Sequence, residues 1–140
     1  MSNIFQNDEL SFKYPNNWKL VDNGDIKNCI AVLDCDSKFS RLMIFKYPQE
    51  GLSLDYLKNA IEDIPREESL IVEKSHLTLI GNKETHELIA HDRSHEPPLK
   101  THSLSTISGR DAFSFNFFSF GLDNPDEDEF LMIYKTLKFE

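Results

Sequence analysis

The run His91-Asp92-Arg93-Ser94-His95-Glu96 gathers two imidazoles and two carboxylates, and His102 follows shortly after. Imidazole nitrogens and carboxylate oxygens are ligand types for zinc and manganese, so His91, His95, His102, Asp92 and Glu96 form a candidate divalent-metal set. Their convergence depends on a hairpin register that brings His91 near His102. The alternative is an exposed, solvated hairpin end with titrating histidines. A neighbouring phrase, His86-Glu87-Leu88-Ile89-Ala90-His91, resembles the zinc-protease motif but spaces its histidines i and i+5 instead of i and i+4. On a helix that spacing turns them apart by about 140°, and on a strand it sends them to opposite faces. A zincin is therefore excluded.

Other chemistries find less support. The chain has no Gly-x-Ser-x-Gly elbow, and Cys29 and Cys35 sit in no recognisable catalytic phrase. Gly24, Gly51, Gly81, Gly109 and Gly121 are scattered singly, as turn punctuation and not as a phosphate loop. With five residues between them, Cys29 and Cys35 are about 20 Å apart on an extended chain, which predicts free thiols. The acidic run Asp123 to Glu129 lacks the central Gly and distal Glu of a calcium loop. No catalytic residues are assigned, and the expectation is a chain that is not an enzyme.

The candidate metal residues would be positioned by strands. Leu70 to Leu79 reads as a long strand bent near Lys74 to His76, and Gly81-Asn82 suits a two-residue turn of the kind with Gly first. Lys83 to Asp92 should return antiparallel, and a loop carrying Pro97-Pro98 leads to a polar strand from Leu99 to Ile107. After a turn at Gly109, Phe113, Phe115 and Phe117 alternate with Ser114 and Asn116, while Phe118 and Phe120 fall on the opposite phase. Either a bulge shifts the register there or both faces are buried. The strand reads as core, with an aromatic ligand platform as the alternative. Arg41 to Tyr47 is apolar on both faces and belongs in the middle of a sheet.

Two helices complete the pattern. Ser53 is a candidate N-cap for a helix with Leu54, Leu57, Ile61 and Ile64 at helical spacing, ended by Pro65. A second helix over 125–137 has Asn124 as N-cap, Pro125 at its first position and Glu127 closing a capping box; Phe130, Ile133, Tyr134 and Leu137 give it one apolar face.

At the N-terminal end, Phe12 and Tyr14 alternate with Ser11 and Lys13 before Pro15 stops the strand and Asn16-Asn17 turn the chain. Trp18 and Leu20 open a second run, a hairpin whose indole plugs one end of the core or, alternatively, stacks a ligand. Asn23-Gly24 supplies a tight turn before an apolar run from Cys29 to Leu33.

The phrase Phe12-Lys13-Tyr14-Pro15-Asn16-Asn17-Trp18 resembles the opening of the PsbP/Mog1-like superfamily. The strand Leu42 to Tyr47, the phrase Leu52-Ser53-Leu54-Asp55-Tyr56-Leu57, the Gly81-Asn82 turn and the terminal Phe139 agree in order. The expected fold is α+β: a mostly antiparallel β-sheet with helices packed across it, a Mog1/PsbP-like α-β-α sandwich occupying 1–140 as a single domain. The resemblance spans photosystem-associated subunits, Ran-binding proteins and secretion chaperones, so it implies a fold more than a task.

Composition narrows the partners. With 140 residues and 39% hydrophobic content, one core without staples is expected. A formal charge of −9 disfavours nucleic acid and permits a cationic protein or a metal ion. No signal peptide and no apolar run near the ~20 residues of a membrane span are evident, so a cytoplasmic location is expected without membrane insertion. The function expected is a non-catalytic protein-binding or adaptor module without a cofactor. The alternatives are a divalent-metal or small-ligand domain with its site at the 86–102 hairpin, and a cytosolic chaperone for apolar segments of a partner protein.

Overall fold

The computed structural model describes residues 2–35, 40–48, 70–94, 96–120 and 126–139. They contain the strands β1 (Ser2–Gln6), β2 (Leu10–Pro15), β3 (Lys19–Val21), β4 (Cys29–Asp34), β5 (Ser40–Pro48), β6 (Leu70–Ile80), β7 (Lys83–Asp92), β8 (Leu99–Ser108) and β9 (Asp111–Phe120), then helix α1 (Asp126–Lys135) and β10 (Lys138–Phe139). Seven strands form one sheet in the order β3-β4-β5-β9-β8-β7-β6, and three form another in the order β1-β2-β10. Every pairing is antiparallel. The fold is α+β and mostly antiparallel, as the pattern implies, but with two sheets in place of one. The helix expected from Ser53 to Ile64 and the cap at Asn124-Pro125 lie outside the described residues.

The second sheet explains what becomes of the N-terminal hairpin. Pro15 closes β2, and the Trp18 N–H donates to the Pro15 carbonyl at 3.0 Å. That turn hands the chain from one sheet to the other instead of folding it back on itself, so β2 pairs with β1 and β10 while β3 pairs with β4. Trp18 is buried and stacks on Phe117 with ring centroids 5.8 Å apart, which makes it core. The expected tight turn at Asn23-Gly24 is likewise a longer loop over 22–28. There the Asp22 carboxylate accepts from the Gly24 N–H at 2.8 Å, and Asn23 Nδ2 donates to the Cys29 carbonyl at 2.9 Å. Such side-chain bonds offer the backbone an alternative to the two-residue turn.

The two-residue turns differ in type. Gly81 (φ 57°) and Asn82 (φ 64°) are both left-handed, so this hairpin has the turn with two positive φ values rather than the Gly-first kind. At Gly109–Arg110 only the glycine is left-handed (φ 63°), which is where the Gly-first form occurs.

β5 lies between β4 and β9, the central place its two apolar faces require. β9 keeps one register throughout its pairing with β5 and β8, so no bulge explains its double phase. Phe113, Phe115 and Phe117 are buried on the face beneath α1 and the small sheet, whereas Phe118 is half-buried and Phe120 is 42% exposed on the other. Phe12 and Phe139 of the small sheet meet Phe115 and Phe113 at 5.9 and 5.0 Å, so the layers share one core. α1 buries Phe130, Ile133 and Tyr134, and Leu137 follows them inward. Among the described residues no helix is long and apolar enough to cross a membrane.

Candidate functional site

Alternation along β7 places Glu87, Ile89 and His91 on one face. The β7–β8 register pairs Ile89 with His102 and His91 with Lys100, so Lys100, His102 and Leu104 join that face. On the other side, His76 of β6 pairs with Glu87. The register skips Glu73 between Val72 and Lys74, a bulge just before the expected bend, and this sets Lys74 and His76 on the same face. α1 crosses above, and its first turn presents Glu127.

These side chains connect. His102 is 3% exposed and points Nε2 at Glu87 Oε2 (2.7 Å) and Nδ1 at Glu127 Oε2 (2.8 Å). Both ring nitrogens thus face carboxylates, so His102 bridges Glu87 and Glu127. Glu87 Oε1 accepts from His76 Nε2 at 2.7 Å, with Lys74 Nζ at 3.4 Å, and Glu127 Oε1 accepts from Lys100 Nζ at 2.9 Å. Burial pushes the Glu87 carboxyl up, but the hydrogen bonds from His76 and His102 and the charges of His102 and Lys74 more than offset it and hold it at about 2. The His102 hydrogen bond and Lys100 hold Glu127 below its ordinary range, against its own burial. The Phe130 ring stands edge-on to His102 at 5.3 Å, which closes the apolar side. The row His76–Glu87–His102–Glu127–Lys100 thus ties three strands to α1. Its central imidazole has no nitrogen left to take a proton from a substrate.

The overall arrangement has close counterparts among solved structures. Cyanobacterial PsbP (CyanoP) from Synechocystis sp. PCC 6803 superimposes with a TM-score of 0.69 at 12% identity, over 99% of this chain and 92% of that one. The chain has a PsbP-like fold. A chain from Bacteroides thetaiotaomicron VPI-5482 matches with a TM-score of 0.67 at 16% identity over 94% of this chain, which spans 45% of that longer chain. LpqN of Mycobacterium tuberculosis, involved in cell envelope biogenesis, matches with a TM-score of 0.52 at 9% identity, over 99% of this chain and 84% of that one. No family model and no curated protein matches the sequence. At these identities the likeness concerns the fold.

On this PsbP-like sheet the residues of the candidate metal set go separate ways. His91 and His102 share a face as diagonal neighbours, yet each turns to a different carboxylate. Arg93 Nε donates to His91 Nε2 at 3.4 Å, which assigns the ring proton to Nδ1; that atom lies 2.8 Å from Glu73 Oε1 without the alignment of a hydrogen bond. Asp92 accepts from the Ser94 N–H at 2.9 Å in a local turn, Glu96 is exposed, and His95 lies outside the described residues. Among the described residues no three His, Cys, Asp or Glu side chains are grouped to hold a metal ion. His86 faces the side opposite His91, as strand alternation requires, and its Nε2 is 3.0 Å from Ser75 Oγ.

Sequence reasoning missed Glu87, Glu127, His76 and Lys100. Glu127 carried a signal for a helix N-terminus, and its two oxygens also accept from Lys100 and face His102. Cys29 and Cys35 are free, as expected, and both are buried. Desolvation and the nearby carboxylates of Asp126, Glu129 and Asp34 push the Cys35 thiol far above its ordinary value.

A cleft of about 830 Å³ opens at the far end of the same hairpin, lined by Leu77, Leu79, Lys83, Thr85, Thr106 and Phe139 among others. Leu77 is 40% and Leu79 is 69% exposed. Beneath it the Tyr134 hydroxyl meets Thr85 Oγ1 at 2.8 Å, and Thr85 Oγ1 donates to the Lys83 carbonyl at 3.1 Å. Thr85 is buried, so this floor is polar but internally satisfied.

Proposed function

We propose that this chain is a non-catalytic, cytoplasmic protein-binding module that takes an apolar segment of its partner into the cleft beside β6. The observation that carries this reading is the cleft itself, about 830 Å³, rimmed by the exposed Leu77 and Leu79. Exposed leucines beside a concavity of that size favour an apolar contact released from water on binding. The absence of an enzyme role is supported by the His–Glu row, whose donors and acceptors satisfy one another. Two free thiols suit a reducing compartment. The formal charge of −9 supports a partner that is basic around its apolar segment. A chaperone role toward such segments is a second reading, favoured by the same exposed leucines.

Affinity capture with the purified protein and a Leu77→Asp/Leu79→Asp double variant, at two salt concentrations, tests the proposal. One protein should be retained by the wild type, weakened as salt screens charges over about 8 Å, and lost from the variant. Capture that ignores the substitutions, or stoichiometric high-affinity uptake of zinc or manganese without any such capture, would overturn it.

A further inference from the structure

The loop between β3 and β4 contains Asn23-Gly24, the one Asn-Gly pair in the sequence; every other asparagine is followed by a residue with a side chain. A glycine leaves its own backbone nitrogen unshielded and free to turn, so the side-chain amide of the asparagine before it is open to attack from within the chain. Gly24 has a φ of 63°, and nothing lies within 4 Å of where its Cβ would stand. Asn23 is half-buried and residues 24–28 are exposed, so water reaches the site.

The loop supplies more than the pair. The Asp25 N–H donates to Asn23 Oδ1 at 3.3 Å. A bond from two residues on folds the asparagine side chain over the intervening peptide, whose nitrogen belongs to Gly24, and aims a donor at the oxygen that gains charge when Cγ is attacked. The Asp22 carboxylate accepts from the Gly24 N–H at 2.8 Å, which puts a base on the proton that the attacking nitrogen must lose. Nucleophile, polarised carbonyl and base thus come from four consecutive residues. The same asparagine also holds the loop closed, since its Nδ2 donates to the Cys29 carbonyl at 2.9 Å and ties one end to the other. That closure spans a backbone with Gly24, Asp25 (φ 58°) and Asn28 (φ 65°) all left-handed, a conformation uncommon for residues with a side chain.

We propose that Asn23-Gly24 is a self-modifying site, at which the loop converts its own asparagine to aspartate and isoaspartate. The bond from the Gly24 nitrogen to Asn23 Cγ forms and the Cγ–Nδ2 bond breaks. The Gly24 proton passes by way of Asp22 and solvent to Nδ2, which leaves as ammonia. Water then opens the resulting cyclic imide at either carbonyl, with no change of oxidation state. The product carries a carboxylate where Nδ2 donated, so acceptor faces acceptor at the Cys29 carbonyl, and the new charge stands between Asp22 and Asp25. Conversion therefore opens, irreversibly, the link between β4 and β3, the strand at the end of the seven-stranded sheet.

Incubation of the whole chain at neutral pH, folded and in guanidinium chloride, followed by peptide mapping with mass spectrometry, tests this. The unfolded chain gives the rate that the Asn-Gly pair has by itself. Conversion at Asn23 should run about tenfold faster in the folded protein, a small part of what positioned acid and base groups supply. Asp22→Ala should bring the folded rate down to the unfolded one and leave the unfolded rate as it is; circular dichroism and melting confirm that the variant folds. Asn23→Asp, which installs one product directly, should be cut by trypsin after the exposed Lys27 faster than the wild type. Folded conversion no faster than unfolded, or Asp22→Ala converting as fast as the wild type, overturns the site. Equal tryptic cleavage of Asn23→Asp and the wild type overturns the opening of the loop.

Discussion

Glu87 shows how a single carboxylate can organise one end of a sheet. It accepts from His76 and His102 with Lys74 close by, and His102 passes the connection to Glu127 and Lys100. Because the folded carboxyl titrates at about 2 against an ordinary value of 4.5, the folded chain binds fewer protons than the unfolded one between those values. Its stabilisation is complete above about pH 4.5 and is lost as the pH falls toward 2. Glu127 is shifted in the same direction and adds to the loss. Denaturant unfolding from pH 7 to pH 2.5 should show a steep decline over that window for the wild type. Glu87→Gln, which leaves His102 facing a neutral amide, should cost about 1–3 kcal/mol at neutral pH and flatten the decline. Equal pH slopes for the two proteins would remove Glu87 from the centre of this network.

At the scale of elements, β9 and the β6–β7 turn carry the sharpest expectations. Phe115 and Phe117 are fully buried and touch rings from β2, α1 and Trp18, so truncation of either to Ala should cost about 3–5 kcal/mol. Phe120→Ala, on the half-exposed face of the same strand, should cost much less. Gly81→Ala would place a methyl 3.1 Å from Lys83 Nζ and 3.2 Å from Lys135 Cα at a φ of 57°, a conformation that L residues rarely adopt. About 1–3 kcal/mol of destabilisation is expected, read as a shift in the urea midpoint.

The same elements mark how far a sequence can be read. Alternation in β9, the two-faced apolarity of β5 and the apolar stripe of α1 are local patterns, and each assigns its element correctly. The short β1 and β10 carry no such pattern, because their existence depends on a partner, β2, that comes from elsewhere in the chain. The His–Glu row was hidden for a related reason. Glu87 and His102 meet only in the β7–β8 register, and the loop between those strands, with its two prolines, leaves that register open to a shift that would turn every side chain over. Period-two alternation alone does put Glu87 and His91 on one face and His86 on the other, which is enough to dismiss the protease resemblance but not to find Glu87's partners.

For the whole molecule, the question is whether two sheets make one cooperative unit. The three-stranded sheet unites both ends of the chain, since β1 and β10 flank β2, and β2 lies over β9 through Phe12 and Phe115. α1 bridges the layers: Tyr134 meets Phe115 at 5.4 Å, Phe130 stacks on Phe117 at 5.2 Å, and the Lys13 N–H donates to Thr136 Oγ1 at 2.8 Å. The small sheet could not persist alone, because its apolar side is the lid of the larger sheet's core, and a three-stranded sheet without a packed face has little stability in water. Removing it would expose Phe113, Phe115 and Phe117 together. Unfolding should therefore be a single transition: Trp18 fluorescence, which reports the stacking on Phe117, and far-ultraviolet circular dichroism, which reports the seven-stranded sheet, should give the same denaturant midpoint. Deleting residues 138–140 should lower both midpoints equally, because Phe139 packs on Phe113 and β10 holds the edge of β2. A fluorescence transition that precedes the dichroism, in either protein, would mean that the small sheet and α1 detach while the large sheet stands, and the shared core would then be two weaker ones.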